Sequence, residues 1–152
     1  MTGGITMVYQ VNREAIRRRL DAVPELAGAL RELAERWSGT TLEGLAQERA
    51  LHLAAEIVTD VGSELIDGFF MRDAASYGDI IDIIAEEGVI GGDLAEGFRE
   101  LATIRTQLIR SYTEWPRHRL HPLAAWLADG LERFAREVEA YLERELGPFQ
   151  RP

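Results

Sequence analysis

The sequence predicts an all-α protein, an up-and-down helical bundle of four long helices and one short helix. Three observations carry that expectation. Apolar residues recur at spacings of three and four through nearly the whole chain. No segment sustains the strict apolar–polar alternation of a half-buried strand. Turn-forming residues gather at a few places, SGTT (38–41), GVIGGD (88–93) and EWPRHRLHP (114–122), and these divide the chain into helical pieces.

Residues 1–10, MTGGITMVYQ, read as a disordered N-terminal extension, followed by a single domain over 11–147 and a short tail over 148–152. Asn12 is a suitable N-cap for a long helix over 13–37, whose stripe is Ile16, Leu20, Val23, Leu26, Leu30, Leu33 and Trp37. Pro24 stands inside it and should kink or break it. Thr40 and Glu43 form a capping box for a second helix from about Leu42 to Phe70, the most apolar of the set. MRDAAS (71–76) interrupts the pattern, and Ser76 caps the short third helix, YGDIIDIIAEE. Gly88 ends that helix, and the turn over 88–93 leads into a fourth, which stops near the prolines of 114–122. Pro122 opens the last helix, whose stripe is Leu123, Leu127, Leu131, Phe134, Val138, Tyr141 and Leu142, and Gly147-Pro148 closes it.

With 152 residues, 46% hydrophobic and 28% charged, the chain is expected to be one soluble domain. The absence of cysteine excludes disulfides, thiolate zinc sites and a cysteine nucleophile. No apolar run reaches the roughly 20 residues of a membrane span, and the start has no secretory signature, so a cytoplasmic address is expected. A net charge of −9 argues against a broad nucleic-acid-binding face without excluding a small basic site. All 17 basic residues are arginine. The four arginines of REAIRRRL (13–20) read as a solvated helix face.

One cation falls out of place. At about 100° per residue, Arg105 lies in the middle of the stripe of Leu94, Phe98, Leu101, Leu108, Ile109 and Tyr112. An arginine on an apolar face needs an anionic partner, because an unpaired interior cation is very costly. The second helix offers candidates on its polar line of Arg49, His52, Glu56, Asp60, Ser63 and Asp67, with Glu56 and Asp60 the natural partners. That line is either a solvated face or the wall of a cleft or subunit interface. Arg105 is correspondingly either half of a register-fixing ion pair or a guanidinium held ready for a phosphate. Paired Glu-x-x-His motifs, zinc-ligand histidine spacing, a Gly-x-Ser-x-Gly elbow and a phosphate loop are all absent, so neither a metal nor a cofactor is expected.

The ordered set of ERALHLAAEIVTDVGSELIDGFFMRDAASYGDIIDIIAEEGVI (48–90) followed by the helix carrying RTQLIRSY (105–112) resembles the HepT-like proteins of the HEPN superfamily. The resemblance spans about Val11 to the last helix. It implies a homodimeric, metal-independent ribonuclease toxin with its site at the subunit interface, around an Arg-x4-His-x-Tyr motif. It also implies a nucleotidyltransferase antitoxin that silences the toxin by adding AMP to the motif tyrosine. Carried onto this chain, the arginine is Arg105 and the tyrosine Tyr112, while Arg110 occupies the histidine position. The motif therefore reads Arg-x4-Arg-x-Tyr.

The departure has a direct chemical meaning. Cleaving RNA without a metal needs a group that exchanges a proton near neutrality, and histidine does this. Arginine remains protonated and can only stabilise negative charge. On an ideal helix Arg110 also lies about 140° from Arg105, so a straight helix cannot aim both at one phosphate and a dimer interface is expected, through the second and fourth helices. Arg105, Arg110 and Tyr112 are thus the expected reactive set, with His52, Glu56 and Asp60 as binding residues. Two functions stay open: an RNA-directed HepT-like protein with a degenerate site and weak or no ribonuclease activity, or a non-catalytic dimeric module that binds a protein partner or a nucleotide.

Overall fold

The computed structural model describes residues 8–148, which contain six helices and no strand: α1 Arg13–Leu20, α2 Val23–Arg36, α3 Thr41–Gly68, α4 Tyr77–Glu86, α5 Gly92–Arg110 and α6 Pro122–Leu146. The all-α bundle is as expected. Of the kink or break expected at Pro24 the break occurs, and the long N-terminal stretch is divided in two: the chain breaks at Asp21–Ala22, and Pro24 stands in the first turn of a separate helix. Proline lacks an amide hydrogen and crowds the preceding turn, so a new start here is easier than a bent continuation. The register of the stripe survives the break, with Ile16, Leu20, Val23, Leu26 and Leu30 all buried.

The remaining ends follow their local chemistry. Asn12 caps α1 through the Ala15 amide at 3.0 Å, and Ser76 caps α4 through the Asp79 amide at 3.1 Å. Gly88, with φ +76°, turns the chain after α4 in a conformation that favours glycine. At the end of α3 the left-handed position is taken by Phe70 (φ 55°), and the Met71 amide closes a 3.0 Å bond back to the Ile66 carbonyl. The expected extension over 1–10 falls on residues 1–7 outside the described residues. Its last part is held: the Gln10 amide donates to the Gly68 carbonyl at 3.1 Å, and Tyr9 packs edge-on against Phe69 at 4.8 Å. Of the tail, residues 149–152 lie outside the described residues.

Helix α3 is central and packs against every other helix. Ala50, Leu51, Ala54, Ala55, Val58, Val61 and Leu65 are buried along it, so most of its circumference meets protein. Helix α6 pairs chiefly with α2, while α4 lies across both α3 and α5. The connection between α5 and α6 is fastened to the first half of α3. Gly44 lets the backbone of Arg117 come so close that a β-carbon would collide with it. The buried Gln47 donates to the Arg119 carbonyl at 3.0 Å and accepts from the His121 amide at 2.7 Å. Arg117 grips Glu48 at 2.6 and 3.0 Å. These contacts fix the height of the C-terminal end of α5 beside α3.

The start of α3 is set by the capping box. The Glu43 carboxylate accepts from the Thr40 amide at 3.0 Å and the Ser38 amide at 3.1 Å, and the Thr40 hydroxyl accepts from the Glu43 amide. The Thr40 amide chiefly, then the Ser38 groups, push the Glu43 carboxyl down to about 2 against a tendency of burial to raise it. A folded-state value below the ordinary value of 4.5 means stability that is full above pH 4.5 and is lost as pH falls through about 2. Glu43→Gln should therefore lower the melting temperature at pH 7 and leave it nearly unchanged at pH 2, as read by circular dichroism. An equal loss at both pH values would show that the charge of Glu43 contributes nothing to the cap.

Candidate functional site

Helices α3 and α5 run antiparallel along their shared seam. As numbers rise from Arg105 to Arg117 along α5 and the following turn, their partners fall from Glu56 to Glu48 along α3. At the middle of the seam the Arg105 Nε donates to the Glu56 Oε1 at 2.6 Å. His52, one turn earlier on α3, places its Nε2 3.4 Å from that same oxygen. The Arg105 side chain is 16% exposed, and those of Glu56 and His52 are 33%.

The fourth member is Tyr77, the first residue of α4, whose ring centroid lies 3.7 Å from the Arg105 guanidinium carbon. Its position depends on the turn before α4. Arg72 makes a two-pronged bond to Asp79 at 2.9 and 2.9 Å and also reaches Glu86. Arg72 above all, then the Ala75 amide, holds the Asp79 carboxyl below the usual carboxylate range. The MRDAAS segment is thus an ordered brace that delivers Tyr77 onto Arg105.

The guanidinium is therefore gripped on one side and on one face. Glu56 takes Nε and Tyr77 covers the π-face, while Nη1 and Nη2 make no hydrogen bond among the described residues. A planar cation oriented in this way and still open along its terminal edge suits a tetrahedral oxyanion such as phosphate. It is a half-buried pair with an open edge, and neither a dry core pair nor a solvated surface arginine.

The expected site residues divide. Arg105, Glu56 and His52 come together. Asp60, the other expected partner, faces α1 instead, with its carboxylate 3.5 Å from Arg19 Nε. Arg110 is the last residue of α5, is exposed, and forms no ion pair among the described residues. Helix α5 ends there, so Tyr112 lies beyond it and is 59% exposed. The apolar stripe therefore needs correction: Leu94, Phe98 and Leu101 are buried, but Ile109 is 44% exposed and Tyr112 is outside the core. Arg105 stands where the stripe leaves the interior.

Sequence reasoning missed Tyr77 as a site residue. Three residues before Ile80 and four before Ile81, it reads as one more apolar position of the short helix. Only the tertiary crossing of α4 over α5 brings it to the cation. In the tract REAIRRRL three of the four arginines are tied down, with Arg17 paired to Glu139 at 2.8 Å, Arg13 donating to the Gly147 carbonyl at 2.9 Å and Arg19 beside Asp60, while Arg18 is exposed.

The stacked pair can be measured. In a double-mutant cycle of Arg105→Gln and Tyr77→Ala read by urea denaturation, the coupling should be about 0.5–1 kcal/mol, as for a partly exposed cation–π contact. A coupling of zero would mean that the ring orders nothing.

Comparison with known proteins gives a consistent picture. Residues 14–138 match the family described as Ribonuclease HepT-like. The chain is 34% identical over 141 residues to the Bacillus subtilis protein named "Putative RNase YutE", an alignment that covers 93% of this chain and 96% of that one. It also resembles a solved structure from Bacillus subtilis, that of the cytosolic protein of unknown function YutE. The TM-score is 0.83 and the identity 30%, over 93% of this chain and 98% of that one.

Proposed function

The chain belongs to the Ribonuclease HepT-like family, and from that premise we propose that it is an RNA-directed protein of a bacterial toxin–antitoxin pair whose Arg105 site receives the RNA backbone. The observation that carries this reading is the open Nη edge of Arg105, beside a guanidinium fixed by Glu56 and Tyr77. The reading requires no metal and no cofactor.

Position 110 limits what the motif can do. A guanidinium there stabilises charge on phosphorus oxygens but takes no proton, so the motif by itself gives binding with weak or no cleavage. Helix α5 continues unbroken to Arg110, which keeps the two arginines on different faces of one protomer. A homodimer through the α3–α5 seam would let one protomer's Arg105 work beside its partner's Arg110. Half-exposed Tyr77, which stacks on Arg105, and Ile109, one residue before Arg110, supply apolar surface for such an interface. Tyr112 is exposed, which suits a nucleotidyltransferase antitoxin that adds AMP to its hydroxyl. A cytoplasmic setting draws on the related Bacillus subtilis structure, that of a protein described as cytosolic. Among the described residues no helix is long and apolar enough to cross a membrane.

The second reading, a non-catalytic dimeric module for a protein partner or a nucleotide, draws on the exposed Phe70, Tyr77 and Ile109 together with the acidic net charge. Salt separates the two. RNA binding should weaken steeply as salt rises, and an apolar protein interface should not.

Arg105→Ala should abolish binding of a single-stranded RNA at low salt, as read by fluorescence anisotropy. Wild-type affinity in a folded variant would overturn the site. Arg110→His should raise the metal-free cleavage rate above that of the natural protein, because it places an imidazole in the motif. No rise would mean that position 110 does not approach the bound RNA.

A further inference from the structure

Resting on the reading of Arg105 as the RNA-binding cation, we propose that His52 is the general base of this protein, so that the imidazole of the reaction comes from α3. The chemistry of a metal-free cut sets the requirement. The ribose 2′-hydroxyl must lose a proton to a side chain that is neutral near pH 7, within reach of a cation that holds the phosphate. The three histidines of the chain differ in what else they do. His118 Nδ1 is bonded to the Gly39 carbonyl at 2.8 Å. His121 caps α6, its Nδ1 accepting from the Leu123 amide at 3.0 Å, and its ring stacks on Trp115. His52 alone stands beside the Arg105–Glu56 pair, with no structural bond among the described residues except its approach to Glu56.

Its position is also suitable along the seam. Because α3 and α5 are antiparallel, one turn back from Glu56 to His52 runs the same way as one turn on from Arg105. His52 is displaced by about 6 Å along α3, and Arg110 by about 7.5 Å along α5. The imidazole thus reaches nearly the height of the end of α5, on the neighbouring helix. Glu56 bridges the two groups, with one oxygen 2.6 Å from Arg105 Nε and 3.4 Å from His52 Nε2. That carboxylate orients the ring and stabilises the imidazolium that forms when the proton is taken.

The step balances with water as the only other participant. With Nε2 turned to Glu56, His52 accepts the 2′-hydroxyl proton at Nδ1, and the 2′-oxygen attacks phosphorus. The bond to the 5′-oxygen breaks as Arg105 stabilises the phosphorus oxygens; the leaving 5′-oxygen takes a proton from a water molecule, and the hydroxide so formed recovers the proton held by His52. The products are a 2′,3′-cyclic phosphate and a free 5′-hydroxyl.

The test uses the full chain with EDTA present, a single-stranded RNA for cleavage, and the same sequence with 2′-O-methyl riboses for binding. The wild type is expected to bind both and to cut only the RNA, leaving cyclic phosphate ends. His52→Gln should retain 2′-O-methyl RNA binding within about twofold while cleavage falls by about 100-fold or more. His52→Ala should regain cleavage when free imidazole is added, which no purely structural role would produce. Cleavage at the wild-type rate in His52→Gln, or loss of binding along with cleavage, would overturn His52 as base. Wild-type binding without any cleavage would also overturn it, while leaving Arg105 as the RNA site intact. No binding by the wild type would overturn both.

Discussion

The contact on which the site depends is the bond from Arg105 Nε to Glu56, made across the seam of α3 and α5 at 2.6 Å. A guanidinium only 16% exposed is not tolerable without an anion beside it, and Glu56 supplies one. The bond does more than neutralise charge. By taking Nε it leaves the terminal edge of the cation without a partner among the described residues, and the Tyr77 ring then fixes the plane. Two contacts suffice to orient a planar cation, and the edge they leave over carries two amino groups spaced to bond an oxyanion as a pair.

Much of the fold serves to hold that contact in register. Antiparallel helices can slide past one another unless something outside their shared face fixes their height. Here the turn after α5 does so, with its backbone laid against Gly44, its carbonyl and amide taken by Gln47, and its arginine held by Glu48. A shift of one turn would place Arg105 opposite a different residue of the α3 polar line. Gln47 is the more telling of the three, because a fully buried amide that meets both its partners resists sliding in either direction. On the other side, the Arg72–Asp79 brace sets where α4 begins and so where Tyr77 sits. The site is assembled from local ends as much as from the hydrophobic core.

These two kinds of information were not equally legible in the sequence. Periodicity and caps gave the helices, since Thr40 with Glu43, Ser76, Gly88 and Pro122 act within a turn of their own positions. The break at Asp21 was less plain, because an apolar stripe that keeps its phase across a proline looks like one kinked helix. The Arg105–Glu56 pairing followed from the cost of an unpartnered cation, but choosing Glu56 over Asp60 needed the position of α1, whose Arg19 engages Asp60. Tyr77 and Tyr112 were misjudged for one reason. Periodicity tells which face a residue shares within its own helix, and neither residue's surroundings are decided there. Tyr77 meets α5 only through the crossing of α4, and Tyr112 falls past the end of a helix that the pattern alone would continue.

The acidic net charge is the natural objection to any RNA reading, and the ion pairs answer it locally. Most acids near the arginines are engaged. Arg31 pairs with Asp129 and Glu132, Arg72 with Asp79 and Glu86, Arg99 with Asp82, and Arg133 with Asp93 and Glu137. Charges farther away than a Debye length of about 8–10 Å are screened at ordinary salt, so the sum over the chain says little about one site. What matters is the charge along the seam. There Arg105 is only half satisfied, and Arg110 at the end of α5 and Arg49, one turn before His52 on α3, form no ion pair among the described residues. Glu56 is the carboxylate that touches Arg105, and it engages Nε, leaving Nη1 and Nη2 without a hydrogen bond among the described residues. A protein can carry −9 overall and still present a narrow cationic line, provided that the acids beside that line are paired, as Glu56 is with Arg105 and Glu48 with Arg117.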